Sequence, residues 1–85
     1  MAWKYTVDFS EWFRSENADI ENKGKLAAGA LNRLIRQIKD EDLAWQLEEL
    51  ADEFNRVQDV DEFDAVLEQL YDLGDWYGIW INTVR

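Results

Sequence analysis

The sequence predicts a single α+β domain, in which strands from the two ends of the chain pair in a small sheet and three helices pack on one face of it. Three observations predict this fold. Apolar and polar residues alternate at the start of the chain, and its end is β-branched and aromatic, as in half-buried strands. Between the ends, apolar residues recur at helical spacing in three successive stretches. A chain of 85 residues, 47% of them hydrophobic, can bury one modest core, so we expect residues 1–85 to form one domain.

The first predicted strand runs over residues 3–9. Its odd-numbered residues are apolar and the residues between them are polar, so we expect the odd-numbered side chains to point into the core. These residues are Trp3, Tyr5, Val7 and Phe9. A short turn is predicted to follow over residues 10–15, where Asp8 and Glu11 have the spacing of a helix cap.

The closing strand is predicted over residues 77–84, which are rich in β-branched and aromatic side chains. Ile79 and Ile81 are expected to face the helices, opposite the first strand, which leaves Trp80 on the open face of the sheet. The long stretch of chain between the two strands permits either direction of pairing, and we expect antiparallel pairing. Because a two-stranded sheet has open edges, Trp80 is a candidate contact in a homodimer.

The first helix is predicted to begin after Asp19, whose side chain can accept a hydrogen bond from a free N–H group of the first turn. Its apolar residues follow helical spacing: Ile20, Ala27, Leu31, Leu34, Ile35 and Ile38. The opposite face carries the basic residues Lys25, Arg33, Arg36 and Lys39. Gly24 and Gly29 lie inside this helix, and each should weaken it by about 1 kcal/mol relative to alanine.

The second helix is predicted to begin at residues 40–42, because acidic residues in a first turn stabilise the positive end of the helix dipole. Its apolar residues form one stripe along the helix, which indicates a single buried face. The stripe comprises Leu43, Leu47, Leu50, Ala51, Phe54 and Val57.

The third helix is predicted to begin near residue 59, with Asp61 as its cap and Val60 as an apolar residue that packs back on the first turn. Its stripe comprises Phe63, Val66, Leu67, Leu70 and Tyr71. Gly74 is expected to end the helix in a left-handed conformation. The most buried side chains of the domain should be central in the three stripes: Leu34, Leu47, Phe54, Phe63, Leu67 and Leu70.

Charge is distributed unevenly along the chain. Nineteen acidic and nine basic residues give a formal net charge of −10. Residues 1–39 carry a net charge of +2, whereas residues 40–75 hold fourteen acidic residues and one basic residue, Arg56. Direct nucleic-acid binding is not expected, because contacts to phosphate need lysine and arginine. The acidic part of the chain instead favours a basic protein surface as partner.

The residue types present disfavour catalysis and cofactor binding. The chain has no cysteine and no histidine, so a thiol nucleophile, the commonest general base and the commonest metal ligand are all excluded. Residues 59–64 depart from a calcium-binding EF-hand loop, because the third acidic residue comes one place late and no glycine follows it. We therefore expect a non-enzymatic protein without metal or cofactor. The chain has no apolar run of membrane-spanning length and no signal-peptide pattern, which favours a cytoplasmic protein.

Several short motifs carry a resemblance to known proteins. They are a Val-Asp pair in the opening strand, a Glu-Phe-Asp helix start, a Tyr-Asp pair and a closing Trp-Ile pair: Val7 and Asp8, residues 62–64, Tyr71 and Asp72, and Trp80 and Ile81. In this combination the chain resembles small uncharacterised phage and prophage proteins, whereas residues 23–57 follow no pattern of theirs. The resemblance implies a phage-encoded accessory protein, acting in the host cytosol, and implies no activity or catalytic residue.

The candidate partner-binding surface lies on the second and third helices. Its acidic members avoid the apolar stripes, so we expect their charges to be solvated and available to a partner. They are Glu48, Glu49, Asp52, Glu53, Glu68 and Asp72. Trp45 lies about 200° around the helix from Leu43, away from the stripe, and exposed tryptophan is a preferred anchor at protein interfaces.

Several interpretations of this surface stay open. It binds a basic protein, or it imitates nucleic acid, as small acidic phage proteins that inhibit restriction or CRISPR nucleases do. Alternatively, the acidic residues only keep the protein in solution. A different class of function is self-assembly, in which the chain is a structural protein that dimerises through its sheet. Salt distinguishes binding of a basic protein from self-assembly, because an acidic–basic contact weakens as ionic strength rises and an apolar dimer does not.

Overall fold

The computed structural model describes residues 3–9 and 19–82 of the chain. These residues form β1 (Tyr5–Asp8), α1 (Ile20–Ile35), α2 (Glu41–Arg56), α3 (Val60–Tyr77) and β2 (Ile79–Asn82). The predicted α+β order of strand, three helices and strand is therefore confirmed. The predicted turn over residues 10–15 and the last two residues of the predicted closing strand lie outside the described residues.

The two strands pair in parallel, so the expected antiparallel pairing is wrong. Tyr5 lies opposite Ile79 and Val7 opposite Ile81. The reason is the number of helices between the strands. Three helices joined end to end by short connections are three antiparallel passes, and an odd number of passes returns the chain to the end of the sheet where β1 begins. The backbone N–H of Lys4 accordingly donates to the carbonyl oxygen of Gly78, just before β2, at 2.7 Å.

One face of the sheet packs against the helices. Val7, Phe9, Ile79 and Ile81 are buried, and Tyr5 is partly buried, as the alternation predicts. Trp3 does not follow this alternation of buried side chains. The strand β1 begins only at Tyr5, and the alternation does not extend before the strand. Its side chain is 42% exposed, and its ring lies 5.5 Å from the ring of Trp80, centroid to centroid. The expected inward position of Trp3 is therefore wrong.

Aspartate side chains cap all three helices. Asp19 accepts from the backbone N–H of Asn22 at 2.8 Å, as predicted. Asp40 accepts from the N–H groups of both Asp42 and Leu43, at 3.0 and 3.2 Å. Each cap satisfies N–H groups that have no partner within the helix.

The cap of α3 differs from the predicted one. Asp59, not Asp61, accepts from the backbone N–H of Glu62, at 2.8 Å. Both aspartates have an acidic residue three positions later, so the local pattern fits either start, and the helix takes the earlier one. As a result Val60 is the first helical residue and is 59% exposed, so the predicted packing of Val60 on the first turn is wrong.

The end of α3 also differs from the prediction. The helix continues through Gly74 to Tyr77, and Gly78 is the residue in the left-handed conformation, with φ 78°. Gly74 has another role, because it is buried where α3 packs on β2. A Cβ atom at Gly74 would lie 2.7 Å from the Ile81 side chain and 2.8 Å from the Ile79 carbonyl oxygen.

The core lies between the sheet and the apolar stripes of the helices. Five of the six residues expected at its centre are confirmed as buried, namely Leu34, Leu47, Phe54, Phe63 and Leu70. The sixth, Leu67, is only partly buried, and Tyr71 of the same predicted stripe is 40% exposed. Both lie on the flank of the α3 stripe, away from the line that faces β2 and α2. Phe54 joins the elements, with its ring 6.2 Å from that of Phe9 and 5.2 Å from that of Phe63.

Candidate functional site

A groove lies between α2 and α3, at the end of the helix pair away from the short connection that joins them. Its volume is about 410 Å³. The first half of α2 and the second half of α3 line it, because the two helices run antiparallel. We call it the α2–α3 groove, and the residues that line it are Gln46, Glu49, Leu50, Glu53, Gln69, Asp72, Leu73, Trp76 and Tyr77.

Helical spacing brings these side chains to the groove. On α2, Gln46, Glu49 and Glu53 recur at intervals of three and four residues, so they form one polar stripe beside the buried apolar stripe. On α3, Gln69, Leu73 and Trp76 recur at the same intervals. The groove therefore has two carboxylates on its α2 wall, and its α3 wall combines an amide, a leucine and an indole with the carboxylate of Asp72.

A hydrogen bond closes the groove near the start of α2 and the end of α3. The side-chain amide of Gln46 donates from Nε2 to the hydroxyl oxygen of Tyr77 at 3.3 Å, and this contact is partly buried. The same amide group approaches the backbone carbonyl oxygen of Asp42 at 3.4 Å, one turn earlier in α2. The pair therefore links the two helices at this end of the groove.

Trp76 is the most exposed large apolar side chain among the described residues, at 83%. A tryptophan this exposed at the rim of a groove is typical of a surface that another molecule covers. Sequence analysis missed Trp76, because ending α3 at Gly74 placed it in a loop. The spacing of Gln69, Leu73 and Trp76 along a longer helix is the signal that identifies it.

The groove is strongly negative. Glu49, Glu53 and Asp72 contribute three carboxylates, and no lysine or arginine is among the described residues that line it. Arg56, the one base of residues 40–75, lies in a separate hollow between α1 and α2, beside Glu21 and Lys25. Among the described lining residues, none supplies a positive charge to neutralise the groove.

The end of α3 adds to this negative potential. The carbonyl end of a helix carries a partial negative charge, which a basic residue in the last turn normally offsets. α1 and α2 each have such a residue, Arg33 and Arg56, whereas α3 has none. Asp75 lies there instead, one residue before Trp76. A positively charged group in the groove would be favoured by the carboxylates and by the end of this helix together.

The structure divides the predicted partner-binding residues between two surfaces. Glu49, Glu53 and Asp72 line the groove. Trp45, Glu48 and Asp52 are exposed on the outer side of α2, and Glu68 is exposed on α3 one turn before Asp72. Trp45 is 60% exposed, as the helical geometry predicts. None of these four residues lines the groove.

Trp80 lies on the face of the sheet away from the helices. It is 44% exposed and its ring is tilted by 49° against that of Trp3. The two indoles together form an apolar patch on the outer face of the strands, next to Thr6, which lies opposite Trp80 in the sheet. This patch is separate from the α2–α3 groove.

The part of the chain that the structure describes offers neither a metal site nor a membrane-spanning helix. Residues 3–9 and 19–82 contain no group of three or more acidic, histidine or cysteine side chains placed to hold a metal ion. None of the described helices combines the length and the apolar character that crossing a membrane requires.

Comparisons with protein-family models, with curated proteins and with solved structures give no match to this chain. The resemblance to phage proteins therefore stays a prediction.

Proposed function

We propose that this chain is a non-enzymatic accessory protein of the phage type, which binds a basic protein surface through the acidic faces of α2 and α3. One observation carries the proposal. The α2–α3 groove has three carboxylates and a tryptophan that is 83% exposed, with no basic side chain among the described residues that line it. A partner that supplies positive charge and covers the indole satisfies both features at once.

The surroundings of the groove support a binding role. Glu48, Asp52 and Glu68 extend the negative surface beyond the groove, and Trp45 offers a second exposed indole on α2. Charged residues at the rim of an interface mainly steer the encounter, whereas buried aromatic residues at its centre carry much of the binding energy. The exposed Trp76 indole offers an aromatic contact that a partner can bury, and the carboxylates of the groove offer the charge that steers the encounter.

The chemistry of the chain supports binding rather than catalysis. It has no histidine and no cysteine, and the groove offers carboxylates, amides and one phenol hydroxyl. The Tyr77 hydroxyl is already hydrogen-bonded to Gln46. Such a set suits recognition of a cation, because carboxylates and amide oxygens accept hydrogen bonds from ammonium and guanidinium groups.

The experiment is affinity capture of partners from a host lysate at low salt, followed by binding measurements with the captured protein. The test variant carries Glu48→Lys, Glu49→Lys, Asp52→Lys and Glu53→Lys. We expect its association rate to fall, and we expect wild-type affinity to fall as NaCl rises from about 0.05 M to about 0.5 M. A variant with Lys25→Glu and Arg36→Glu, on the exposed face of α1, is the control and should bind at least as well as the wild type.

Equal affinity of the wild type and the four-lysine variant, with no salt dependence, would contradict the proposal. The acidic residues would then serve only to keep the protein in solution. If the captured protein is a nuclease and duplex DNA competes with this chain for it, the function narrows to mimicry of nucleic acid.

A second candidate function is self-assembly through the sheet, favoured by the paired indoles of Trp3 and Trp80 on its outer face. Apolar aromatic surface of this kind is enriched in interfaces between copies of a chain. Sedimentation at micromolar concentration tests it. A dimer that Trp80→Ser abolishes supports self-assembly, and a species of 10.1 kDa in the wild type contradicts it.

A further inference from the structure

We infer that the α2–α3 groove is a binding site for an arginine side chain of the basic partner. The guanidinium lies against the Trp76 indole and donates to the carboxylates of Glu49, Glu53 and Asp72. The inference rests on the proposed function and narrows it from a general acidic surface to one groove and one kind of side chain.

The shape of the groove fits a long side chain with a charged end. Leu50 and Leu73 give the groove apolar surface that can contact the methylene groups of an arginine stem. Tyr77 closes one end, where its hydroxyl is held by Gln46. The charged end of the side chain then lies among the carboxylates at the rim, where water still reaches it, so the cost of removing it from water is small.

The walls of the groove favour arginine over lysine. A guanidinium is planar, stacks on an aromatic face, and forms paired hydrogen bonds with carboxylates. The α3 wall supplies the exposed face of Trp76, and the α2 wall supplies Glu49 and Glu53 one turn apart. A lysine ammonium makes the ionic contacts and can lie over the indole, but it has no planar group to stack flat on the ring or to pair with a carboxylate through two hydrogen bonds.

The occupant belongs to another protein and not to a second copy of this chain. Every copy carries a net charge of −10, so two copies repel each other at long range. The described residues that line the groove include three acidic residues and no base, and α3 has no basic residue in its last turn. Charge complementarity therefore points to a strongly basic partner segment.

The test uses the full chain, labelled with ¹⁵N, and two synthetic peptides of about fifteen residues. Both peptides are alanine-based helices with four basic residues on one face, arginine in one and lysine in the other. We expect the arginine peptide to bind about fivefold to tenfold more tightly than the lysine peptide at low salt. Its binding should shift the indole N–H signal of Trp76, which a Trp76→Leu variant identifies by its disappearance.

Two pairs of substitutions on α2 separate the groove from the surface around it. The groove pair is Glu49→Gln with Glu53→Gln, and the outer pair is Glu48→Gln with Asp52→Asn. Each pair removes two charges from the same helix, so long-range steering changes equally. We expect the groove pair to weaken binding of the arginine peptide about tenfold and the outer pair about twofold, and we expect Trp76→Leu to remove the preference for arginine.

The outcomes distinguish this inference from the proposed function. Equal weakening by both pairs, with equal affinity for the two peptides, would overturn the arginine site while leaving a general acidic binding surface in place. Failure of the wild type to bind either peptide at low salt would overturn the arginine site and count against a basic partner as well. Unchanged preference for arginine in Trp76→Leu would exclude the stacking contact.

Discussion

Gln46 and Tyr77 join the first half of α2 to the last turn of α3, because the Gln46 side-chain amide donates to the Tyr77 hydroxyl at 3.3 Å. The two residues are 31 positions apart in the sequence, and their contact closes one end of the α2–α3 groove. The pair therefore adds a polar contact between the two helices beside the buried leucines that pack them together. Changing this pair tests the contribution of that contact without changing the charge of the groove.

Tyr77→Phe removes the hydroxyl and keeps the ring. We expect the free energy of unfolding to fall by about 0.5–1.5 kcal/mol, the usual net contribution of such a hydrogen bond. Gln46→Leu should lower it by a similar amount, and the double variant should cost less than the sum because both changes remove the same contact. Chemical denaturation of the four proteins measures this coupling, and strict additivity would show that the pair does not interact in solution.

Two glycines of α1 should respond to alanine in opposite directions. At Gly24 a Cβ atom would collide with the Phe54 carbonyl oxygen and the Val57 side chain of α2, so we expect Gly24→Ala to cost about 1–3 kcal/mol. Nothing lies within 4 Å of the corresponding position at Gly29. Gly29→Ala should therefore stabilise the protein by about 0.5–1 kcal/mol.

Thermal unfolding of both variants checks this prediction, with each serving as the control for the other. If both stabilise the protein, α1 and α2 do not approach as closely as described. If both variants destabilise the protein, the higher helix propensity of alanine does not determine the effect of Gly29→Ala.

The two aspartates at the start of α3, Asp59 and Asp61, should also differ in how much they contribute to stability. Asp59→Ala removes the acceptor for the Glu62 backbone N–H and should cost about 1 kcal/mol, whereas Asp59→Asn keeps an acceptor and should cost little. Asp61→Ala removes only a charge near the positive end of the helix, and we expect a loss of about 0.3 kcal/mol. Urea denaturation measures all three, and a larger loss at Asp61 than at Asp59 would place the cap at Asp61, as the sequence analysis expects.

Truncation in the core should follow burial. Leu47 is fully buried, and we expect Leu47→Ala to lower the free energy of unfolding by about 2–5 kcal/mol. Leu67 lies at the edge of the core with part of its side chain in solvent, so Leu67→Ala should cost clearly less. Melting curves of the two variants test the order, and a larger loss at Leu67 would contradict the described packing of α3.

The parts of the fold that depend on local pattern could be predicted from the sequence. The caps at Asp19 and Asp40 and the buried stripe of α2 follow from residues a few positions apart, where geometry is the same in most helices. The inward positions of Val7 and Ile81 follow from alternation within a single strand.

The remaining features depend on how residues far apart in the sequence come together in the fold. The parallel direction of the strands depends on the number of helical passes between them. Gly74 and Gly78 look equally able to end α3, and only the packing of Gly74 against β2 makes Gly78 the end. That choice determines whether Trp76 lies on a helix, so the groove could not be predicted while the end of α3 was misplaced.

The binding footprint of the captured partner on the ¹⁵N-labelled chain, measured as shifts of backbone and indole N–H signals, tests the binding role of the α2–α3 groove most directly. We expect the largest shifts at residues 46–53 and 69–77, with the Trp76 indole among them, and we expect them to weaken as salt rises. A footprint on the strands around Trp80, or on the basic face of α1, would contradict this role of the groove.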